Sequence, residues 1–148
     1  MNIVITGAKG FIGSHLAEYL KNKGHKLVLL DNFSHPSKNP IQVQYCDVRY
    51  YNDIASYIKD CDVVFHLAAQ IHVDKSIRNP QETMDVNVNG TLNVLEACRK
   101  YNKRLIFASS SEVYGTAQTG IMNESHPLDS QSPYAASKVA GDRLCWAY

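Results

Sequence analysis

Ile3-Val4-Ile5-Thr6-Gly7-Ala8-Lys9-Gly10-Phe11-Ile12-Gly13, answered further on by Leu27-Val28-Leu29-Leu30-Asp31, is the stretch that decides the fold. A β-branched run, glycines at three-residue spacing, an amphipathic helix and a second apolar run closed by an acid form a strand–helix–strand unit suited to a dinucleotide. Without a Cβ at Gly7, Gly10 and Gly13, the chain can turn sharply, let a pyrophosphate approach the backbone and seat the helix on the sheet. The helix start adds free N–H groups and a positive dipole end. Phe11, Ile12, Leu16, Tyr19 and Leu20 recur at helical spacing, and Gly24 stands where a helix ends. Asp31 is placed to grip the adenosine ribose hydroxyls and to repel a 2′-phosphate, which favours NAD over NADP.

Downstream, Asn32 to Pro40 has loop composition (Ser34, Pro36, Ser37, Asn39), and Ile41 to Tyr45 reads as a short strand. A helix is predicted over Asp53 to Ile58, and Val63 to Leu67 reads as a buried parallel strand. Ala68 and Ala69 follow it and leave room for a ligand. Met84, Val88, Leu92, Leu95 and Cys98 form one apolar stripe, predicting a single helix from Gln81 to Lys100. Leu105 to Ala108 is the next strand, running into Ser109-Ser110-Ser111-Glu112-Val113-Tyr114-Gly115. Thr116 to Gln131 is polar and turn-rich, after which Ser132-Pro133 starts the last helix with a capping hydroxyl and a proline. Strands alternating with helices predict an α/β fold: a Rossmann-type doubly wound parallel sheet in three layers, strand order 3-2-1-4-5. Ligands bind such sheets beyond the carboxyl ends of the strands. The glycine loop, Asp31, Ala68-Ala69 and Ser109 to Glu112 all fall there.

Composition narrows the partners. In 148 residues, 15 basic and 14 acidic side chains nearly cancel, so no broad field draws nucleic acid or an anionic membrane. No apolar stretch approaches the roughly 20 residues that span a bilayer, and the expected location is cytoplasmic. Cys46, Cys61, Cys98 and Cys145 lack metal-ligand spacing and read as buried reduced thiols, so no metal site is expected.

Tyr134 and Lys138, four apart on the last helix, share a face. A phenol of pKa about 10 is a poor base at neutral pH, but a neighbouring ammonium stabilises its phenolate. Such a tyrosine can take a proton from a hydroxyl as hydride leaves the carbon, with Ser110 donating to the same oxygen. His66, ending a buried strand, reads as a satisfied core histidine, and Asp74 and Lys75 as a local ion pair.

In the light of those residues, the chain resembles the extended short-chain dehydrogenase/reductases that act on nucleotide sugars. The matching pieces are Thr6 to Gly13, Asp31 to Phe33, Asp47-Val48, His66 to Ser76, Asn87 to Thr91, Ser109 to Gly115 and Ser132 to Lys138. The resemblance implies that Gly7, Gly10, Phe11, Ile12 and Gly13 face the NAD pyrophosphate, Asp31 and Asn32 the ribose, and Asp47 and Val48 the adenine. Leu67, Ala68 and Ala69 would line the cofactor's middle, Asn87 and Ser109 its nicotinamide side, and Lys138 the nicotinamide ribose. Tyr134 would be the base beside Ser110, with Glu112 a further catalytic candidate. The implied chemistry is oxidation of a UDP- or dTDP-sugar at C4, reaction of the ketone and return of hydride. Ser111 and Glu112 stand where sugar dehydratases carry two acids, which favours a 4-epimerase over a 4,6-dehydratase; a serine-glutamate pair also resembles sugar-acid decarboxylases. Residues 1–148 would form the NAD-binding domain, with the domain that holds the sugar lying beyond Tyr148. A non-catalytic NAD-binding module is the reading of another class, and homodimerisation through the helices at Gln81 to Lys100 and from Ser132 is implied by the resemblance.

Overall fold

A computed structural model of the chain describes residues 1–37, 40–118 and 120–148. Asn39, part of the expected loop, lies outside them. Five parallel strands, β1 (Asn2–Thr6), β2 (Lys26–Asp31), β3 (Gln44–Tyr45), β4 (Val63–His66) and β5 (Arg104–Phe107), lie in the order β3-β2-β1-β4-β5. This is the doubly wound Rossmann arrangement that the alternation of elements predicts.

The central strand shows why. Ile3, Val4, Ile5 and Thr6 are each at most 2% exposed, because helices cover both faces of the sheet. Successive side chains point to opposite sides. Val4 joins Val64, Leu30, Ile54, Ile58 and Val94 beneath α2 (Tyr51–Ile58) and α5 (Gly90–Tyr101). Ile3 and Ile5 join Val63, Ala17 and Leu20 beneath α1 (Phe11–Asn22). Burying one such side chain stabilises the fold by about 1.5–3 kcal/mol. α1 ends as its glycine signals, the Gly24 amide donating to the Lys21 carbonyl at 2.9 Å and the His25 amide to that of Leu20 at 3.2 Å.

Three elements depart from the sequence reading. The strand expected over Ile41 to Tyr45 pairs only at Gln44 and Tyr45, opposite Leu30 and Asp31; Ile41 and Val43 instead pack against the α1-side core. The short helix α3 (Val73–Arg78) forms in a segment for which the sequence reading names no element. The single helix expected from Gln81 to Lys100 is interrupted. α4 (Pro80–Met84), begun by Pro80 and capped by Asn79, passes through a π-helical turn at Asp85–Asn89 before α5. The wider turn displaces the side-chain register and places Asn87 inward, a common use of π-bulges at functional sites. α6 (Pro133–Ala147) begins as predicted, Ser132 Oγ accepting from the Ala135 amide at 3.0 Å. Asp74 and Lys75 do not pair. Adjacent residues on a helix point in different directions, and Lys75 instead meets Glu82 of α4 at 2.8 Å.

Candidate functional site

At the carboxyl ends of the strands lies a cleft of about 970 Å³. Its floor is the glycine loop. Gly7 has φ +69°, and a Cβ there would come within 2.8 Å of the Ala68 amide nitrogen, so loop and β4 end meet backbone to backbone. A methyl at Gly13 would overlap the Gly7 carbonyl oxygen. Among the described residues no side chain caps the start of α1, and its first residues, Phe11 to Gly13, line the cleft. Asp31 ties the loop to β2, one carboxylate oxygen accepting from the Lys9 amide at 3.0 Å and the other from the Phe33 amide at 2.9 Å. Each oxygen keeps a lone pair for a ligand.

Behind the cleft runs a fixed chain of polar groups. Thr6 Oγ1 accepts from the amides of Leu67 and Ala68 and donates to His66 Nδ1 at 2.7 Å. The Thr91 hydroxyl donates to the Asn87 carbonyl at 2.6 Å, so it accepts from His66 Nε2 at 3.2 Å, which sets the tautomer. His66 is 1% exposed, and burial together with the Lys138 charge pushes its pKa down to about 3. It is a neutral core histidine.

Helix α6 contributes the other wall. Lys138, one helical turn after Tyr134, is buried, its ammonium donating to the Ala108 carbonyl at 2.6 Å and lying 4.4 Å from the centre of the Phe107 ring. Burial pushes its pKa down to about 8. The Tyr134 amide donates to Ser76 Oγ at 3.0 Å, pinning the helix start to α3. The Tyr134 hydroxyl has no hydrogen-bond partner among the described residues, which leaves it available at the cleft surface.

Most of the residues singled out from the sequence converge here. Gly7, Gly10, Phe11, Ile12, Gly13, Asp31, Asn32, Val48, Leu67, Ala68, Ala69, Ser109, Tyr134 and Lys138 all line the cleft. Four do not. Asn87 is 3% exposed and lies inside the wall: its amide donates to the Gln70 carbonyl and Ser137 Oγ, and its oxygen accepts from the Gln70 amide. Asp47 is 2% exposed, beneath Arg49. Burial alone would raise its pKa, but hydrogen bonds from Arg49 and Asn32 outweigh burial and hold it below the ordinary carboxylate range. Ser110 caps a 3₁₀ turn at Ser111–Tyr114, accepting from the Glu112 amide at 3.2 Å, and opens on an adjoining hollow. Glu112 is exposed. Arg49, Gln70, Lys75 and Glu82 also line the cleft and were not assigned to it from sequence, and His72 lines it as well. Their position after strands β3 and β4 could have signalled them, as could, for Gln70, His72 and Lys75, the matching piece His66 to Ser76.

The profile of one family matches residues 3–148. The chain belongs to the NAD dependent epimerase/dehydratase family. Within the family it is 39% identical over 153 residues to a putative UDP-glucose 4-epimerase of Methanocaldococcus jannaschii, covering 99% of this chain and 50% of that protein. It is 35% identical to a UDP-N-acetyl-alpha-D-glucosaminuronate decarboxylase of Bacillus cytotoxicus, covering 98% of this chain and 49% of that protein. Its fold superimposes on the Thermus thermophilus UDP-glucose 4-epimerase, crystallised in complex with NAD, with a TM-score of 0.91 at 36% identity, over 100% of this chain and 50% of that one. The chain spans about half the length of the curated relatives it matches. No helix among the described residues is long and apolar enough to cross a membrane.

Proposed function

We propose that this chain is the cofactor-binding part of an NAD-dependent nucleotide-sugar 4-epimerase. The observation that carries the reading is one cleft lined by a glycine cradle that a single methyl would close, by Asp31, and by a Tyr134 whose hydroxyl has no partner among the described residues, one helical turn from the buried Lys138. The cleft fits a dinucleotide by its donor set: helix amides for phosphates and a carboxylate for ribose hydroxyls. Bound there, NAD supplies the acceptor and donor of the hydride at the sugar's C4. Tyr134 takes the proton of the C4 hydroxyl and returns it when the ketone is reduced on the other face. Lys138 stays largely an ammonium at pH 7, and its bond to Ala108 holds that charge on the tyrosine side of the cleft. Ser109 lies on the nicotinamide side, and Ser110, in the hollow that adjoins the cleft at Ser109, orients the sugar oxygen. Asn87 acts from within the wall, fixing Gln70 against α6.

The epimerase reading over its relatives' other reactions rests on Ser111 and Glu112. A serine hydroxyl is far too weak an acid to protonate a leaving hydroxyl, and Glu112 lies exposed and away from the cleft lining. Epimerisation needs neither acid, because the ketone only has to present its other face. Proton NMR of any full-length form of the protein, incubated with NAD and, in turn, UDP-glucose, UDP-N-acetylglucosamine, UDP-glucuronate and dTDP-glucose, tests this. A C4 epimer is expected. A 4-keto-6-deoxy product or released carbon dioxide would replace the epimerase reading, and tight NAD binding with no conversion of any sugar would make the chain a binding module.

A further inference from the structure

The first amides of a helix have no carbonyl within it to bond, and the start of α6 satisfies them in two different ways. Pro133 has no N–H, the Ala135 amide donates to Ser132 Oγ at 3.0 Å, and that of Ala136 makes the first bond of the helix, to the Ser132 carbonyl at 2.8 Å. Tyr134 alone bonds outside its own helix. Its amide donates to Ser76 Oγ, 58 residues earlier in the chain, at 3.0 Å. Ser76 is 0% exposed, and its one hydroxyl proton goes to the Val73 carbonyl at 2.6 Å, so a lone pair is turned toward Tyr134.

Ser76 is in turn fixed to the segment that follows β4. Gln70, 3% exposed, donates from Nε2 to the His72 carbonyl and to Thr83 Oγ1, both at 3.0 Å, and its Oε1 accepts from the His72 amide. The His72 carbonyl also accepts from the Ser76 amide at 3.0 Å, so α3 starts where Gln70 puts it. We propose that Ser76 is a positioning residue for Tyr134, holding the base in register with the cofactor cradle through the tyrosine's own amide. The phenol is a long lever on its Cα, so a small rotation of the helix start is magnified at the hydroxyl. Proton transfer needs that oxygen within hydrogen-bond reach of the sugar. A cap such as Ser132 fixes the helix only to its own chain neighbours, whereas a cap from α3 fixes it to the strand ends that line the cleft.

This role rests on the reading of Tyr134 as the base, and the experiment separates the two. Ser76→Ala removes the acceptor, and Ser76→Cys nearly keeps the volume with a sulfur that accepts only weakly. In the 148-residue chain, amide hydrogen exchange followed by NMR is expected to speed up about tenfold at Tyr134 in both variants, as loss of one hydrogen bond does, with Ala135 within about twofold of the parent. In any full-length form, both variants are expected to lower kcat by about 10–100-fold, the scale of a misplaced catalytic group, while KM for the sugar and NAD affinity stay within about twofold. Unchanged exchange at Tyr134, or unchanged kcat in an active full-length form, overturns the proposal. So does equal acceleration at Tyr134 and Ala135, which would mean that the helix start merely frays. A parent full-length form that converts no sugar removes the reading of Tyr134 as the base, and exchange at Tyr134 then still decides whether Ser76 holds it.

Discussion

The two halves of the proposed site are built to different standards of rigidity. On the cofactor side, backbone meets backbone at Gly7 and Ala68, Asp31 staples the glycine loop, and Thr6, His66, Thr91 and Asn87 form an unbroken chain of hydrogen bonds. On the Ser110 side a short 3₁₀ turn carries Ser111 and Glu112 into solvent, opposite the polar stretch up to Gln131. The difference follows from position. The first half stands on the ends of central strands buried on both faces, the second beyond the last strand of the sheet. A cofactor shared by several reactions calls for a fixed cradle, whereas the outcome of the reaction is set by the few side chains laid on the open side.

The contrast can be broken or sharpened by measurement. Tyr134→Phe should lower turnover of a nucleotide sugar by about 10²–10⁴-fold while leaving NAD affinity nearly unchanged; activity near that of the parent in the NMR assay would remove the tyrosine as base. Asn87→Ala should destabilise the fold by about 3 kcal/mol in urea denaturation, since it strands both polar groups of the Gln70 backbone inside the wall. Asp31→Asn should narrow the preference for NAD over NADP by about tenfold, the scale of one charged contact. Unchanged discrimination in a paired titration would dismiss Asp31 as the ribose residue.

His66 gives a pH signature to the rigid half. Its pKa is about 3 in the folded chain and 6.5 unfolded, so below 6.5 the unfolded state binds the extra proton. Stability from this group is fully present above pH 6.5 and is lost as pH falls toward 3, by about 1.4 kcal/mol per unit. Urea midpoints taken across that range should fall accordingly, and a flat profile would mean that the ring is not sealed. Glu112→Gln should be the quietest change, within about 0.5 kcal/mol in stability and with epimerisation largely kept. A loss of activity comparable to that of Tyr134→Phe would draw Glu112 into the chemistry and favour one of the rival reactions.

Much of this was legible in the sequence because periodicity, glycine and charge act locally. Ile3 to Gly13 announces a strand, a turn and a helix start without help from the rest of the chain, and Ser132-Pro133 announces another helix. Even the strand order follows from alternation and crossover handedness. Other features depend on groups far apart in the chain. The π turn at Asp85–Asn89 has no composition of its own, and it places Asn87 between Gln70 and Ser137. Asp47 looks like any acid near a binding site until Arg49 and Asn32 are seen to occupy it.

By itself, then, the sequence determined the sheet, the glycine cradle and the residue types at the strand ends, since these follow from side-chain periodicity and backbone permissiveness over a few neighbouring positions. Only the tertiary structure decided which of those side chains face the cleft and which are consumed in holding its wall. A polar group's lone pairs are shared among partners as far apart as residues 87 and 137, and their allocation exists only once the chain has folded.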